Sequence, residues 1–249
     1  MTRPIIGVDE AGRGPVIGPL VVCALCVPES DCSTLRDLGA RDSKLLSEKK
    51  RDMIESEIQE NAESKGWGIG IVICEPSRID SNSIHSDLNR LEVELFAEAI
   101  ELACQNNSEG VLRVDSCDVD ESRFSRRIAS RLGQNWKNWE IDSRHAMDSI
   151  DPVAGAASII AKVNRDNEIA RIQQEMGFAI GSGYPSDGVT REAVRKLVSE
   201  SLPHKDLRWS WSTVSNLWKE VHGTPVPTRS EDGSPLRQTM LDEWGASEE

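Results

Sequence analysis

Asp9 and Glu10 stand side by side in the stretch Gly7-Val8-Asp9-Glu10-Ala11-Gly12-Arg13-Gly14-Pro15, directly after the apolar pair Ile5 and Ile6. An apolar run that breaks at glycines reads as a buried strand entering a tight turn. An ionised carboxylate is costly to bury without a partner, so two acids at such a strand end call for a compensating cation. Arg13 is one candidate and a metal ion is the other. Asp115 closes a second short apolar run, Gly110 to Val114, and Asp148 stands just ahead of a stretch of small residues. Four acids from separate elements, gathered at one edge, would repel each other unless divalent cations sat among them. Oxygen-only ligation suits Mg²⁺ or Mn²⁺ and not zinc. Two such ions can clamp the attacking and leaving oxygens of a phosphodiester.

The elements that must position these acids follow from apolar periodicity. Strands are expected over Pro4 to Asp9, Leu20 to Val27, Trp67 to Cys74, Gly110 to Asp115 and Trp139 to Ile141. A surface helix starts after Ser47 as N-cap, with Met53, Ile54 and Ile58 as its modest apolar stripe. Residues 81–83 read as a polar loop. The helix from Leu88 to Ala103 carries Leu91, Leu95, Ala99 and Leu102 on one face. Asp118 and Glu121 have capping-box spacing ahead of a helix that runs through Leu132, which leaves Asp115 without a structural task. Asp151 as N-cap and Pro152 at the first position announce another helix, whose small residues from Ala154 to Ala161 allow close approach to a sheet. Three antiparallel strands followed by alternating strand and helix predict an α/β domain with a mixed central sheet. Sites in such sheets gather at strand ends.

A net charge of −13 argues against a general nucleic-acid-binding surface, while leaving room for a local basic groove. The six cysteines are scattered in apolar surroundings, the pattern of reduced thiols. Cys23 and Cys26 have C-x-x-C spacing without a second ligand pair, so no zinc site is expected. No apolar run reaches the length of a membrane span and residues 1–4 offer no signal-peptide core, so a cytoplasmic location is expected. Residues 222–235 have the Pro, Thr, Ser and Gly content of a disordered linker. From Gly223 to the end, two arginines face six acids.

Four segments together resemble ribonuclease HII, the archaeal members above all: Ile6 to Pro15, Asp42-Ser43-Lys44, Ala156 to Val163 with Arg165-Asp166, and Gly181-Ser182-Gly183-Tyr184-Pro185-Ser186-Asp187. Their order and spacing match from about Ile5 to Trp218. The resemblance implies a ribonuclease H-like mixed central sheet flanked by helices over 1–180, a C-terminal helical extension over 181–221 and an acidic flexible tail over 222–249. It also implies an endoribonuclease that cuts the RNA strand of RNA/DNA hybrids, and single ribonucleotides embedded in duplex DNA, leaving 3′-hydroxyl and 5′-phosphate ends.

The catalytic and metal-binding acids implied are Asp9, Glu10, Asp115 and Asp148, with Mg²⁺ or Mn²⁺ as cofactor. Asp148 follows Met147, where similar sequences carry a small residue; Asp142 and Asp151 are nearby acids, and His145 fits the family pattern. Telling RNA from DNA requires reading the 2′-hydroxyl. The resemblance gives that task to the backbone of Gly12, Arg13 and Gly14, and to Tyr184, the chain's only tyrosine, stacked on the sugar where RNA gives way to DNA. Lys44, Lys162 and Arg165 are the implied phosphate contacts. At the far end, Gln238, Leu241 and Trp244 resemble the short motif by which replication proteins dock on the sliding clamp, although Gly245 stands where a second aromatic is usual. A monomer is expected. A DNA-directed nuclease of the same fold would use the same acids without needing the glycine turn and Tyr184. A non-catalytic clamp-tethered binding protein would keep the tail and show no metal dependence.

Overall fold

Strand β1 (Pro4–Ala11) is central because both its faces are apolar up to the acids, so it can be covered on each side. A computed structural model describes residues 3–40, 46–104, 109–230 and 232–236. Lys44, Gln238, Leu241 and Trp244 lie outside the described residues. Contacts divide the chain into two compact units. The first comprises Met1–Arg13, Pro19–Cys74 and Asp87–Arg171; the second comprises Gly14–Gly18, Glu75–Ser86 and Ile172–Glu249. No helix among the described residues is long and apolar enough to cross a membrane.

In the first unit, β2 (Leu20–Pro28), β3 (Gly68–Cys74), β4 (Gly110–Asp115) and β5 (Trp139–Arg144) join β1 in the order β3-β2-β1-β4-β5. β1, β2 and β3 pair antiparallel, whereas β4 and β5 run parallel to β1. This is the mixed sheet that the strand pattern predicts. The first unit also holds α1 (Cys32–Asp37), α2 (Glu48–Lys65), α4 (Leu88–Ala103), α5 (Glu121–Leu132), α6 (Met147–Ile150) and all but the end of α7 (Pro152–Met176), while α3 (Pro76–Ser83) belongs to the second. α4 packs across β3, β2 and β1. α7 lies so close to β1 that a β-carbon at Gly7 would overlap the Val153–Ala154 backbone, and this is what the small residues of α7 make possible.

Local signals are met at several positions and overridden at others. Ser47 caps α2 by accepting from the Lys50 amide, and Asp151 caps α7 by accepting from the Val153 and Ala154 amides. Leu91, Leu95 and Ala99 are buried as expected, but Leu102 is 55% exposed, as is Met53 at 48%. All six cysteines are free thiols. The expected capping box is corrected. Asp120 caps α5 by accepting from the Arg123 amide, while Asp118, fully buried, pairs with Arg123 and Arg127. The Arg123 hydrogen bond holds the Asp118 carboxyl down at about 2. Glu121 instead accepts from the His145 amide.

The second unit carries α3, α8 (Gly188–Leu197) and α9 (Ser212–His222). Residues 81–83, expected as a polar loop, are the last turn of α3. Asp80 of α3 is buried and accepts from the Trp209 amide and from the amide and hydroxyl of Ser210. Residues 222–235, whose composition predicts a disordered linker, are instead tied down where they are described. Arg229 is 2% exposed, stacks 4.1 Å over the Trp209 ring and donates to the carbonyls of His204, Lys205 and Leu207.

Candidate active site

Strand alternation sends successive side chains to opposite faces. At the end of β1 it therefore turns Asp9 toward α7 and Glu10 toward α4. Asp9 is 4% exposed, takes a hydrogen bond from Ser158 of α7 and feels the charges of Lys162 and Asp148. Lys162 in turn donates to Ser158 Oγ at 3.0 Å. Glu10 meets Glu92 of α4, itself fully buried, and Cys117 in the loop after β4. β4 pairs with β1 in a register that sets Val114 beside Val8, so Asp115 comes next to the acid end of β1.

Asp9, Glu10 and Asp115 thus present carboxylate oxygens that all lie within 4.8 Å of one another. Asp148 is 3% exposed, one residue beyond Met147, whose amide donates to Asp115 Oδ1 at 2.7 Å. The two competing acids are engaged elsewhere. Asp142 pairs with Arg113 and Arg144, and Asp151 caps α7.

The electrostatics follow from crowding like charges out of water. Burial, then the neighbouring Glu10, holds the Asp9 carboxyl well above the usual range, against the opposing pull of Ser158 and Lys162. Burial, then Glu92 and Asp115, pushes Glu10 up to about 7. Glu10 Oε2 is buried and has no hydrogen-bond partner among the described residues. A cluster that is strained when charged, built of hard oxygen donors and holding an unsatisfied buried oxygen, fits a divalent cation of the Mg²⁺ or Mn²⁺ kind.

The glycine turn leaves the same strand end. Gly12 has φ of 91°, a conformation that favours glycine, and a β-carbon there would sit 2.7 Å from the Pro19 carbonyl oxygen. Arg165 is 8% exposed, packs its stem toward Gly12 and donates to Asp166 at 3.1 Å. Arg13, one candidate counter-ion for these acids, directs its guanidinium to α4 and the loop after β4. Its guanidinium pairs with Glu92 and donates to Asn89 and to the Cys117 carbonyl. In the second unit, the amides of Val16 and Ile17 donate to the Gly183 carbonyl, which brings Gly14 into contact with the ring of Tyr184. Tyr184 is 38% exposed, and its loop is pinned by Asp187, which accepts from the Ser182 amide and hydroxyl and from the Val189 amide.

Three residues at this site escaped the sequence reading as participants. Ser158 lies inside the stretch Ala156 to Val163, and its hydroxyl, one helical turn from Lys162, is the available signal. Glu92 and Cys117 gave none, because their burial depends on Arg13 and Glu10 arriving from another strand.

A mixed sheet whose two central parallel strands end in clustered carboxylates, flanked by helices on both faces, defines a ribonuclease H-like nuclease. The model of the ribonuclease HII family matches residues 6–214. A ribonuclease HII of Methanococcus maripaludis (strain C6) is 39% identical over 224 residues, covering 89% of this chain and 90% of that one. The structure of ribonuclease H2 from Pyrococcus horikoshii matches with a TM-score of 0.76 at 33% identity, covering 89% of this chain and 100% of that one. A PCNA:RNase HII complex from Archaeoglobus fulgidus matches with a TM-score of 0.73 at 33% identity, covering 96% and 99%. The chain belongs to the ribonuclease HII family. It is accordingly a ribonuclease H-type endonuclease.

Proposed function

We propose that this endonuclease hydrolyses the RNA strand of RNA/DNA hybrids and cuts on the 5′ side of single ribonucleotides embedded in duplex DNA, as in ribonucleotide excision repair and replication. The observation that carries the reading is the juxtaposition of Asp9, Glu10 and Asp115 with a backbone turn at Gly12 that only a residue without a side chain can make.

Asp9, Glu10, Asp115 and Asp148 are the residues that would hold Mg²⁺ or Mn²⁺. When bound, the two ions supply the positive charge that favours hydroxide over water and steadies the leaving oxygen. Hydrolysis adds water across the bond between phosphorus and the 3′ oxygen. The 3′ oxygen takes a proton and becomes a hydroxyl, and the water oxygen remains on the 5′-phosphate. The protein's part is to fix the four carboxylates in advance, so that little reorganisation is needed during the reaction. Ser158 and Lys162 favour the charged form of Asp9 against the effect of its burial, and Lys162 with Lys44 receives substrate phosphates. Arg165, packed beside Gly12, is a further phosphate contact, and the backbone of Gly12, Arg13 and Gly14 reads the 2′-hydroxyl. Tyr184, half-exposed against Gly14, stacks on the sugar at the junction.

The tail residues Gln238, Leu241 and Trp244 dock on a sliding clamp in this reading, which the Archaeoglobus fulgidus complex with PCNA supports. The experiment for the substrate is cleavage of a DNA duplex carrying one ribonucleotide, with Mg²⁺, Mn²⁺ or chelator, beside an all-DNA control. One metal-dependent cut 5′ of the ribonucleotide is expected. Cutting of the all-DNA control would assign the site to DNA instead.

A further inference from the structure

Arg13 has a glycine on each side, so the backbone of its turn is freer than one built only of residues with side chains. Such freedom opposes recognition, since a donor that reads one hydroxyl must be held in place before the substrate arrives. The triplet has one side chain by which it can be fixed, and the structure shows where that side chain goes. Nη1 of Arg13 donates to the Cys117 carbonyl at 2.5 Å, Nη2 donates to Asn89 Oδ1 at 2.6 Å, and Nε stands 3.4 Å from Glu92 Oε1. Asn89 and Glu92 are three residues apart on α4 and share one helix face. Cys117 is two residues beyond Asp115. The guanidinium therefore ties three segments together: the glycine turn, the first turns of α4 and the loop that follows the acid of β4. Glu92 is fully buried, a position that a carboxylate holds at acceptable cost when a cation faces it.

We infer that Glu92 and Asn89 are positioning residues for sugar recognition: gripping Arg13 from α4, they hold the Gly12–Arg13 backbone in the conformation that meets the 2′-hydroxyl. Arginine is required for the geometry. Its planar fork donates to the Cys117 carbonyl and to Asn89 while its charge faces Glu92, a combination that a single ammonium on a flexible stem does not reproduce. The side chain of Arg13, 36% exposed, is thus engaged by α4 and the loop after β4, and what it offers the substrate is its backbone. The same arrangement links recognition to the acids, because the loop gripped at Cys117 begins at Asp115. The inference rests on the reading of the turn given above, and its test separates the two.

The variants are Glu92→Gln, which keeps the volume and removes the charge, Asn89→Ala, and Arg13→Lys, which keeps the charge and removes the fork. Two quantities are read on the full chain. The first is hydrogen exchange of the backbone amides over residues 10–16. The second is the ratio of cleavage rates for a duplex with one embedded ribonucleotide and for the same duplex carrying a 2′-fluoro nucleotide there, which accepts hydrogen bonds and cannot donate them. Each variant is expected to exchange faster at the turn and to narrow the ratio roughly 10- to 100-fold; because the ratio compares two duplexes on one variant, a shared change in metal binding or stability cancels from it. A purely structural role would lower both cleavage rates in parallel, and an unchanged ratio with unchanged exchange overturns the inference. Turn amides that already exchange freely in the wild type overturn it as well. Should the wild type cut neither duplex, the proposed function fails, and hydrogen exchange still decides whether Glu92 and Asn89 hold the turn.

Discussion

The backbone amide of Met147 donates to Asp115 Oδ1 at 2.7 Å, so the acid ending β4 is fixed by the residue next to Asp148. Ala146, just before, sits at φ of 55°, a left-handed conformation costly for a residue with a side chain. The chain accepts this strain to turn from β5 into α6 and bring Asp148 toward the other acids.

Substitutions at Asp115 separate charge from scaffolding. Asp115→Asn keeps an oxygen for the Met147 amide while removing the charge, and is expected to lower the cleavage rate about 10²- to 10³-fold with little change in stability. Asp115→Ala removes the acceptor too and should cost a further 0.5–1.5 kcal/mol or so of folding stability. Steady-state cleavage and chemical denaturation of the two variants check this. Equal stability of the two would show that the Met147 bond contributes nothing.

Metal and proton compete for the same oxygens. Glu10 titrates near 4.5 in the unfolded chain and is pushed up to about 7 in the fold by burial, Glu92 and Asp115. Between these values the unfolded chain has released a proton that the fold retains. The unfolded state binds fewer protons, and stability of the metal-free protein falls as pH rises through this window. Asp9, also raised, acts in the same direction. A divalent cation displaces the proton, so its stabilisation should grow over the same interval. Melting temperatures with Mn²⁺ and with chelator, from pH 5 to pH 8, are expected to diverge; a gap independent of pH would contradict the assignment.

Arg229 should matter far more than its place in a Pro- and Ser-rich stretch suggests. Arg229→Ala removes a buried cation from the Trp209 ring, from three carbonyls and from beside Asp80, at a cost of about 3–5 kcal/mol. Arg229→Lys should recover under half of that, since an ammonium lacks the planar fork. Denaturant unfolding followed by tryptophan fluorescence measures both, and losses under 1 kcal/mol in Arg229→Ala would mean that the contacts are incidental.

Deleting 237–249 is expected to abolish binding to a sliding clamp while leaving cleavage of short duplexes unchanged. Surface-immobilised clamp and a gel assay suffice; clamp binding that survives the deletion removes Gln238, Leu241 and Trp244 from consideration.

Much of the positioning framework was legible because it is local. The apolar runs of β1 and β2, the face of α4 through Leu91, Leu95 and Ala99, and the Asp151-Pro152 start of α7 each declare themselves within a dozen residues. What escaped was decided by distant partners. Glu92 reads as one more acid on a charged helix until Arg13 meets it. Arg229 reads as linker until Trp209 and Asp80 enclose it. α3 is polar enough to pass for a loop, yet Asp80 anchors it to Trp209 and Ser210. The capping box at Asp118 matched the right spacing on the wrong residue, because two arginines of α5 claim that side chain and leave the cap to Asp120. At the acid cluster, Asp9 and Glu10 were visible as a pair, but not that the strand sends them to opposite faces, one to Ser158 and Lys162 and the other to Glu92.

The most direct measurement is a count of bound Mn²⁺ by electron paramagnetic resonance, made on the protein with an uncleavable RNA/DNA hybrid, for the wild type and for Asp9→Asn. Two ions on the wild type are expected, with fewer than two and no cleavage of the natural hybrid in the variant. Full occupancy and undiminished cleavage in Asp9→Asn would contradict the assignment of the metal centre to these acids.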